Sequence, residues 1–146
     1  MAGVLFTTGD IFERGADLTV LPCSAKGHLS RTAERRVEVF GLRRPQEIPL
    51  GSIAVYPFPG AGKEARWIAW AASVMNFTSS ADVIRNIGRE LGQHANGNPV
   101  IQIIESPLLG TGVGGLDPQD AGLALKAGWR HALPMQRCLS TARWRR

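Results

Sequence analysis

Short apolar blocks recur along the chain and predict β-strands. They are rich in β-branched and aromatic residues, end at turn-forming residues, and lie at positions 4–7, 17–21, 52–58, 67–72, 100–104 and 138–142. The third and fourth blocks flank a turn at residues 59–63, which predicts an antiparallel hairpin. Trp67 and Trp70 have opposite parity and are predicted to pack on opposite faces of the sheet. The block at 100–104 is β-branched at almost every position, which predicts a central strand buried on both faces.

Three segments between these blocks predict helices. Each has capping residues at its start: Ser30 or Thr32 for the first helix, Ser79 or Ser80 for the second, and Asp117 followed by Pro118 for the third. The first helix is predicted to end at Phe40 with Gly41 as its C-cap, and the second near His94. The order β-β-α-β-β-α-β-α-β predicts an α/β fold with three layers, α/β/α, and a mixed central sheet.

Length and composition indicate a single domain over residues 1–146, with 44% hydrophobic residues. No apolar run is long enough to cross a bilayer, so no membrane partner is predicted. Cys23, in a predicted loop, and Cys138 are too few for a zinc site or a disulfide framework, and no metal or cofactor is predicted. These features predict a cytoplasmic location.

The charge balance allows an anionic partner without requiring one. The chain has 17 basic and 12 acidic residues, and the basic excess lies in two clusters: Arg31, Arg35, Arg36, Arg43 and Arg44, and the tail residues Arg137, Arg143, Arg145 and Arg146. Apart from Trp144, no aromatic residues interleave with these arginines. The clusters are therefore either solvated surface or a nucleic-acid-binding surface.

The glycine-rich stretch after the block at 100–104 is the strongest chemical signal in the sequence. It consists of Leu109, Gly110, Thr111, Gly112, Val113, Gly114 and Gly115. Glycine permits positive φ angles and close approach of a ligand, so successive N–H groups can converge on a diphosphate. The spacing also matches a dinucleotide-binding motif, but the acidic residue expected about 20 residues later is absent. A phosphate-binding loop ending on a helix start is the interpretation we prefer to a plain connecting turn.

Together with Gly9-Asp10-Ile11-Phe12 after the first strand, this stretch resembles the macro domain family. The resemblance covers nearly the whole chain, and it is greatest to the branch of bacterial antitoxins and hydrolases that remove ADP-ribose from DNA or glutamate side chains. It implies a ligand containing ADP-ribose. By this resemblance Asp10 accepts a hydrogen bond from the adenine amino group, the backbone at Ile11 assists, and residues 110–115 wrap the diphosphate and distal ribose.

The segment after the second predicted strand departs from the family. The usual asparagine is missing, the lysine nucleophile of the hydrolases is not found, and Gly27 is what remains of a glycine run. Lys26 is a candidate nucleophile or phosphate partner, His28 a candidate acid or base, and Cys23 and Ser24 candidate ribose contacts. Each of these residues also has an ordinary interpretation as a solvated charge, a surface histidine or a small buried side chain.

Three functional hypotheses follow. The first is a module that binds ADP-ribose or an ADP-ribosylated macromolecule. The second is an ADP-ribosyl hydrolase with an altered catalytic group, and the third is a nucleic-acid-binding protein that uses the basic clusters. Phe77 is either a core residue or part of the wall of an adenine or ribose pocket.

Overall fold

The computed structural model describes residues 4–7, 16–59, 65–132 and 141–145, with side chains described within 16–59 and 66–130. In chain order the elements are β1 (Val4–Thr7), β2 (Ala16–Ser24), α1 (Arg31–Phe40), β3 (Ile53–Pro57), β4 (Ala65–Val74), α2 (Ala81–Gly97), β5 (Ile103–Pro107), α3 (Pro118–Ala132) and β6 (Thr141–Arg145). The predicted order of strands and helices is confirmed.

The strands form one mixed sheet with the order β1-β6-β5-β2-β4-β3. Every neighbouring pair is parallel except β3 and β4, which are antiparallel as predicted for a hairpin. β5 lies between β6 and β2, so its predicted central position is confirmed. Five strands therefore point the same way, and their carboxyl ends share one edge of the sheet.

Helices cover both faces of the sheet and give the predicted three layers. On one face α2 and α3 pack over a core that includes Leu18, Ile87 and Leu125, while on the other α1 packs over Leu21 and Trp70. Trp67 contacts the first core and Trp70 belongs to the second, so the prediction from their parity is confirmed.

The helix starts follow the capping signals in the sequence. Ser30 Oγ accepts from the Ala33 N–H at 3.2 Å, and Ser80 Oγ accepts from the Val83 N–H at 3.3 Å. Asp117 Oδ1 accepts from two N–H groups of the first turn of α3. Gly41 ends α1 with a φ of 65°, a left-handed conformation that glycine adopts at little cost.

Two predicted strand boundaries are wrong, the start of β5 and the end of β2. β5 begins at residue 103 rather than 100: the Val100 side chain is 57% exposed, and the Gln102 and Ile103 N–H groups donate to Asp17 Oδ2 at 2.7 and 2.9 Å. β2 continues through Ser24, so Cys23 lies in a strand and not in a loop. β2 extends to Ser24 because it pairs with β4 that far, and the residue pattern of β2 alone does not reveal this pairing.

The described helix α2 runs to Gly97, three residues beyond the predicted end near His94.

Other predicted segments lie partly outside the described residues. The hairpin turn at 60–64 and residues 138–140 of the last block are not described, and the final strand occupies 141–145. Asp10, Ile11 and Cys138 also lie outside the described part of the chain.

Candidate functional site

The carboxyl ends of the parallel strands meet along what we call the carboxyl edge. It is defined by the last residues of β1, β6, β5, β2 and β4: Thr7, Arg145, Pro107, Ser24 and Val74. Ligands of open α/β sheets bind outside this edge. Three described segments leave it: the glycine loop (residues 109–115) after β5, the serine turn (24–28) after β2, and the phenylalanine turn (75–78) after β4.

The backbone of the glycine loop presents a row of open donors. Gly110 and Gly115 have φ angles of 80° and 73°, which explains glycine at both positions. Two hydrogen bonds close the loop, from the Gly115 N–H to the Gly112 carbonyl (3.1 Å) and from the Leu116 N–H to the Gly110 carbonyl (3.0 Å). The N–H groups of residues 111–114 donate to no group among the described residues. Such a row suits an anion with several oxygens.

The glycines of the loop face two different environments. A β-carbon at Gly114 would lie 2.6 Å from the Gly110 carbonyl oxygen and 2.9 Å from Ser79 Cβ, and one at Gly110 would lie 2.9 Å from Ser79 Oγ. A β-carbon at Gly112 or Gly115 would meet nothing within 4 Å. Gly110 and Gly114 thus allow the loop to lie against Ser79, whereas Gly112 and Gly115 leave the outer side of the backbone accessible.

Three side chains of the loop have separate roles. Leu109 is 1% exposed and anchors the loop in the core between the sheet and α2. Thr111 Oγ1 donates to the Leu108 carbonyl at 2.8 Å, which ties the loop to the end of β5. Val113 is 68% exposed and is an apolar side chain at the rim.

The start of α3 is less available to an anion than the sequence predicts. Asp117 Oδ1 accepts from the N–H groups of Gln119 (2.9 Å) and Asp120 (3.3 Å), so the carboxylate of the cap occupies donors that a phosphate would use. The negative charges of Asp117 and Asp120 also oppose an anion at this position. Donors for a diphosphate would therefore come from the glycine loop rather than from the helix.

The serine turn is closed by its own hydrogen bonds. The Ser24 N–H donates to the His28 carbonyl (2.9 Å), the Gly27 N–H to the Ser24 carbonyl (2.9 Å), and the His28 N–H to Ser24 Oγ (3.0 Å). The Ala25 N–H donates to the Val74 carbonyl, which fixes the turn beside the end of β4. Lys26 and His28 are exposed, and the geometry holds both at the carboxyl edge.

Cys23, which directly precedes Ser24 in β2, is buried. Its side chain is 3% exposed and packs in the core beneath α1, and burial raises the pKa of the thiol to about 12. Because a thiol with this pKa stays protonated at neutral pH, Cys23 is an inert core residue. The structure thus supports its interpretation as a small buried side chain and gives no support to a ribose contact.

Sequence analysis did not identify Ser79 as part of the site. Its hydroxyl is buried beneath the glycine loop and has no hydrogen-bond partner in the described part of the chain. Ser80, its neighbour, caps α2. The contact between Ser79 and the loop joins positions about 30 residues apart, so no local pattern contains it.

The phenylalanine turn contradicts one interpretation of Phe77. The side chain is 81% exposed, so it is not a core residue. Asn76 and Phe77 have φ angles of 52° and 61°, and Met75 and Thr78 exchange two backbone hydrogen bonds of 3.0 Å around them.

The basic cluster near α1 is partly neutralised within the chain. The two terminal guanidinium nitrogens of Arg44 donate hydrogen bonds to the Glu34 carboxylate, and these bonds lower the pKa of Glu34. The Arg43 guanidinium lies 4.3 Å from the centre of the Tyr56 ring, a cation–π contact. Arg31 and Arg35 are exposed on α1. This arrangement resembles an ordinary solvated surface more than a continuous basic groove.

Within the described ranges, no helix has the length and apolar character needed to span a bilayer. Among the same residues, no three His, Cys, Asp or Glu side chains are grouped closely enough to hold a metal ion.

The whole fold is similar to those of solved macrodomains. The macrodomain of Mycobacterium tuberculosis DarG superposes with a TM-score of 0.72 at 16% identity, over 99% of this chain and 98% of that one. The macrodomain of Thermus aquaticus DarG gives 0.73 at 16% identity, over 100% and 99%. Thermosipho africanus DarTG in complex with ADP-ribose gives 0.74 at 15% identity, over 100% of this chain and 42% of that one. No protein-family model and no curated protein matches the sequence. The chain therefore has the macrodomain fold, as the resemblance implied.

Proposed function

We propose that this chain is a macro domain of the antitoxin-like branch and that it binds ADP-ribose or an ADP-ribosylated macromolecule at the carboxyl edge. The observation that carries the proposal is the row of N–H groups at residues 111–114, which donate to no described group and lie in the loop after the central strand of a macrodomain fold. Further support comes from Thermosipho africanus DarTG, whose structure contains ADP-ribose. A single domain over residues 1–146 is part of this proposal.

The strand order supports a direction for the ligand in this proposal. β5, which carries the glycine loop, lies two strands from β1 and two strands from β4. Neighbouring strands are about 4.8 Å apart, so each half of the edge spans about 10 Å. With the adenine held by Asp10 and Ile11 after β1, the diphosphate lies at the glycine loop, and the distal ribose lies toward Ser24 and Gly27 after β2.

The experiment that tests binding compares two glycines at different places in the fold, each with room for a β-carbon. Gly112 lies in the glycine loop and Gly97 at the end of α2, and a β-carbon at either position meets nothing within 4 Å. Neither has a positive φ. Valine at either position should therefore leave the fold intact, while valine at 112 covers the outer side of the loop.

Isothermal titration calorimetry with ADP-ribose then separates the outcomes. We expect the wild-type chain and Gly97→Val to bind equally well, and Gly112→Val to bind at least about tenfold more weakly, a loss of about 1.4 kcal/mol. Absence of heat with the wild-type chain would reject ADP-ribose binding. Equal affinity of all three proteins would reject the glycine loop as the site.

Hydrolysis of an ADP-ribosyl bond is the second candidate function. It is supported by the exposure of Lys26 and His28 on a hydrogen-bonded turn at the same edge, where they can serve as nucleophile and acid–base group. Release of ADP-ribose from modified protein or DNA, abolished in Lys26→Ala or His28→Ala, would establish it. Binding without release would leave the chain as a binding module.

Nucleic-acid binding through the basic clusters is the third candidate. It predicts an affinity that falls steeply with salt and is unaffected by free ADP-ribose. A chain that binds ADP-ribose through the glycine loop should instead retain most of its affinity for that ligand after Arg31→Ala and Arg35→Ala, since both side chains lie on α1.

A further inference from the structure

The phenylalanine turn presents an aromatic ring to solvent on a rigid support. Met75 and Thr78 close a two-residue turn: the N–H of each donates to the carbonyl of the other at 3.0 Å. Thr78 Oγ1 also donates to the Met75 carbonyl at 2.8 Å. The Phe77 side chain between them is 81% exposed. Because these hydrogen bonds already hold the backbone of the turn, a ligand that covers the ring needs to order the side chain but not the backbone.

The identity of this residue is unfavourable for the turn itself. Both central residues have positive φ, as a type I′ turn requires, and such turns favour Asn-Gly. Asn76 fits this preference, but a bulky aromatic residue at a φ of 61° does not. Phe77 also buries little surface, so neither local conformation nor packing explains a phenylalanine at this position. Strain of this kind at an exposed residue is a reason to look for a ligand contact.

The turn lies next to the glycine loop. Ser79 comes two residues after Phe77 and contacts the loop at Gly110 and Gly114. Because two residues span at most about 7 Å, the Cα of Phe77 lies within that distance of the Cα of Ser79. In the sheet, β4 is on the side of β5 away from β1. Phe77 therefore follows a strand that lies on the side of the glycine loop away from β1.

We propose that Phe77 determines specificity for the distal ribose, by packing its ring against the apolar C–H face of that sugar. The proposal rests on the proposed function, because it takes its direction from adenine binding near β1. The glycine loop carries a second exposed apolar side chain, Val113. The contact would distinguish ADP-ribose from ADP, which lacks the distal sugar but shares the adenosine and the diphosphate.

The test compares these two ligands on three variants. Phe77→Gly creates the favoured Asn-Gly pair, so its thermal midpoint should rise by about 2–4 °C. Its affinity for ADP-ribose should fall about tenfold, because the apolar contact between ring and sugar is lost, while its affinity for ADP stays unchanged. Phe77→Tyr should retain the wild-type affinity for both ligands. Val39→Ala, which shortens an apolar side chain that is 66% exposed on α1, is the control and should change neither affinity.

A more stable variant with weaker ADP-ribose binding would show that phenylalanine serves the ligand and not the fold. Unchanged ADP-ribose affinity in Phe77→Gly would overturn the proposal. An equal loss for ADP and ADP-ribose would also overturn it, because the effect would then lie on the shared part of the ligand. Failure of the wild-type chain to bind either ligand would instead reject the proposed function itself.

Discussion

The close crossing of α2 and α3 depends on Gly128, which leaves less room for a β-carbon than Gly88 at the same crossing. A β-carbon at Gly128 would lie 1.8 Å from the Arg85 carbonyl oxygen and 2.8 Å from the Arg89 nitrogen, both backbone atoms of α2. Because a helix backbone cannot rotate away as a side chain does, Gly128→Ala must separate the helices. Lengthening the 1.8 Å contact to about 3.4 Å requires a shift of roughly 1.6 Å.

Such a shift disturbs the best-packed part of the molecule. Trp129, Leu125 and Ile87, each no more than 1% exposed, lie at this crossing and would lose contacts. Overpacking typically costs about 1–3 kcal/mol, and the closeness of two rigid backbones places this site at the upper end. The higher helix propensity of alanine returns about 1 kcal/mol. We therefore expect a net loss of about 2 kcal/mol in the free energy of unfolding.

Urea denaturation followed by circular dichroism measures this loss directly, and the thermal midpoint should fall by about 4–8 °C. Gly97→Ala on α2 is the matched control: it makes the same change in open space and should be neutral or slightly stabilising. If Gly128→Ala were as stable as Gly97→Ala, the close crossing of α2 and α3 described above would be wrong.

Three further predictions concern single side chains. Burial raises the pKa of Glu90, so the ionised carboxylate destabilises the fold at neutral pH, and the free energy of unfolding increases as the pH falls through that pKa. Glu90→Gln should therefore be more stable than wild type at pH 7. Denaturant titrations should show this difference disappearing below about pH 4, where the carboxyl group is protonated in both the folded and the unfolded chain. Cys23 should react with iodoacetamide at pH 8 only after denaturation, and rapid labelling of the native chain, with Cys138 replaced by serine, would contradict its burial. Ser79→Ala removes a buried hydroxyl that has no partner among the described residues, so it should preserve both stability and ADP-ribose binding. Ser79→Leu should displace the glycine loop and weaken binding. Equal ADP-ribose affinity of the two variants would show that Ser79 does not support the loop.

Much of the fold could be predicted because its signals are local. Capping by Ser30, Ser80 and Asp117 depends on residues two or three positions away, and all three caps are present. The opposite faces of Trp67 and Trp70 follow from strand parity alone. The glycine loop could be predicted from sequence because positive φ angles and accessible backbone N–H groups favour closely spaced glycines, which few other segments of the chain have.

The errors arose where contacts between distant segments decide the structure. Asp17 accepts from the N–H groups of Gln102 and Ile103, which are 85 and 86 residues away in sequence, and β5 begins at Ile103 beside this contact. Pairing with β4 extends β2 to Ser24 and buries Cys23. Ser79 and Phe77 acquire their significance from the position of the glycine loop, which their own sequence neighbours do not reveal.

The central claim is that the N–H groups of residues 111–114 receive the diphosphate of ADP-ribose. Amide chemical-shift mapping by NMR during a titration with ADP-ribose observes these groups directly. We expect the largest shifts at residues 111–114, where they saturate with ligand, while the amides of α1 near Arg31 and Arg35 stay unchanged. Shifts confined to α1, or no saturable shift at the glycine loop, would contradict it.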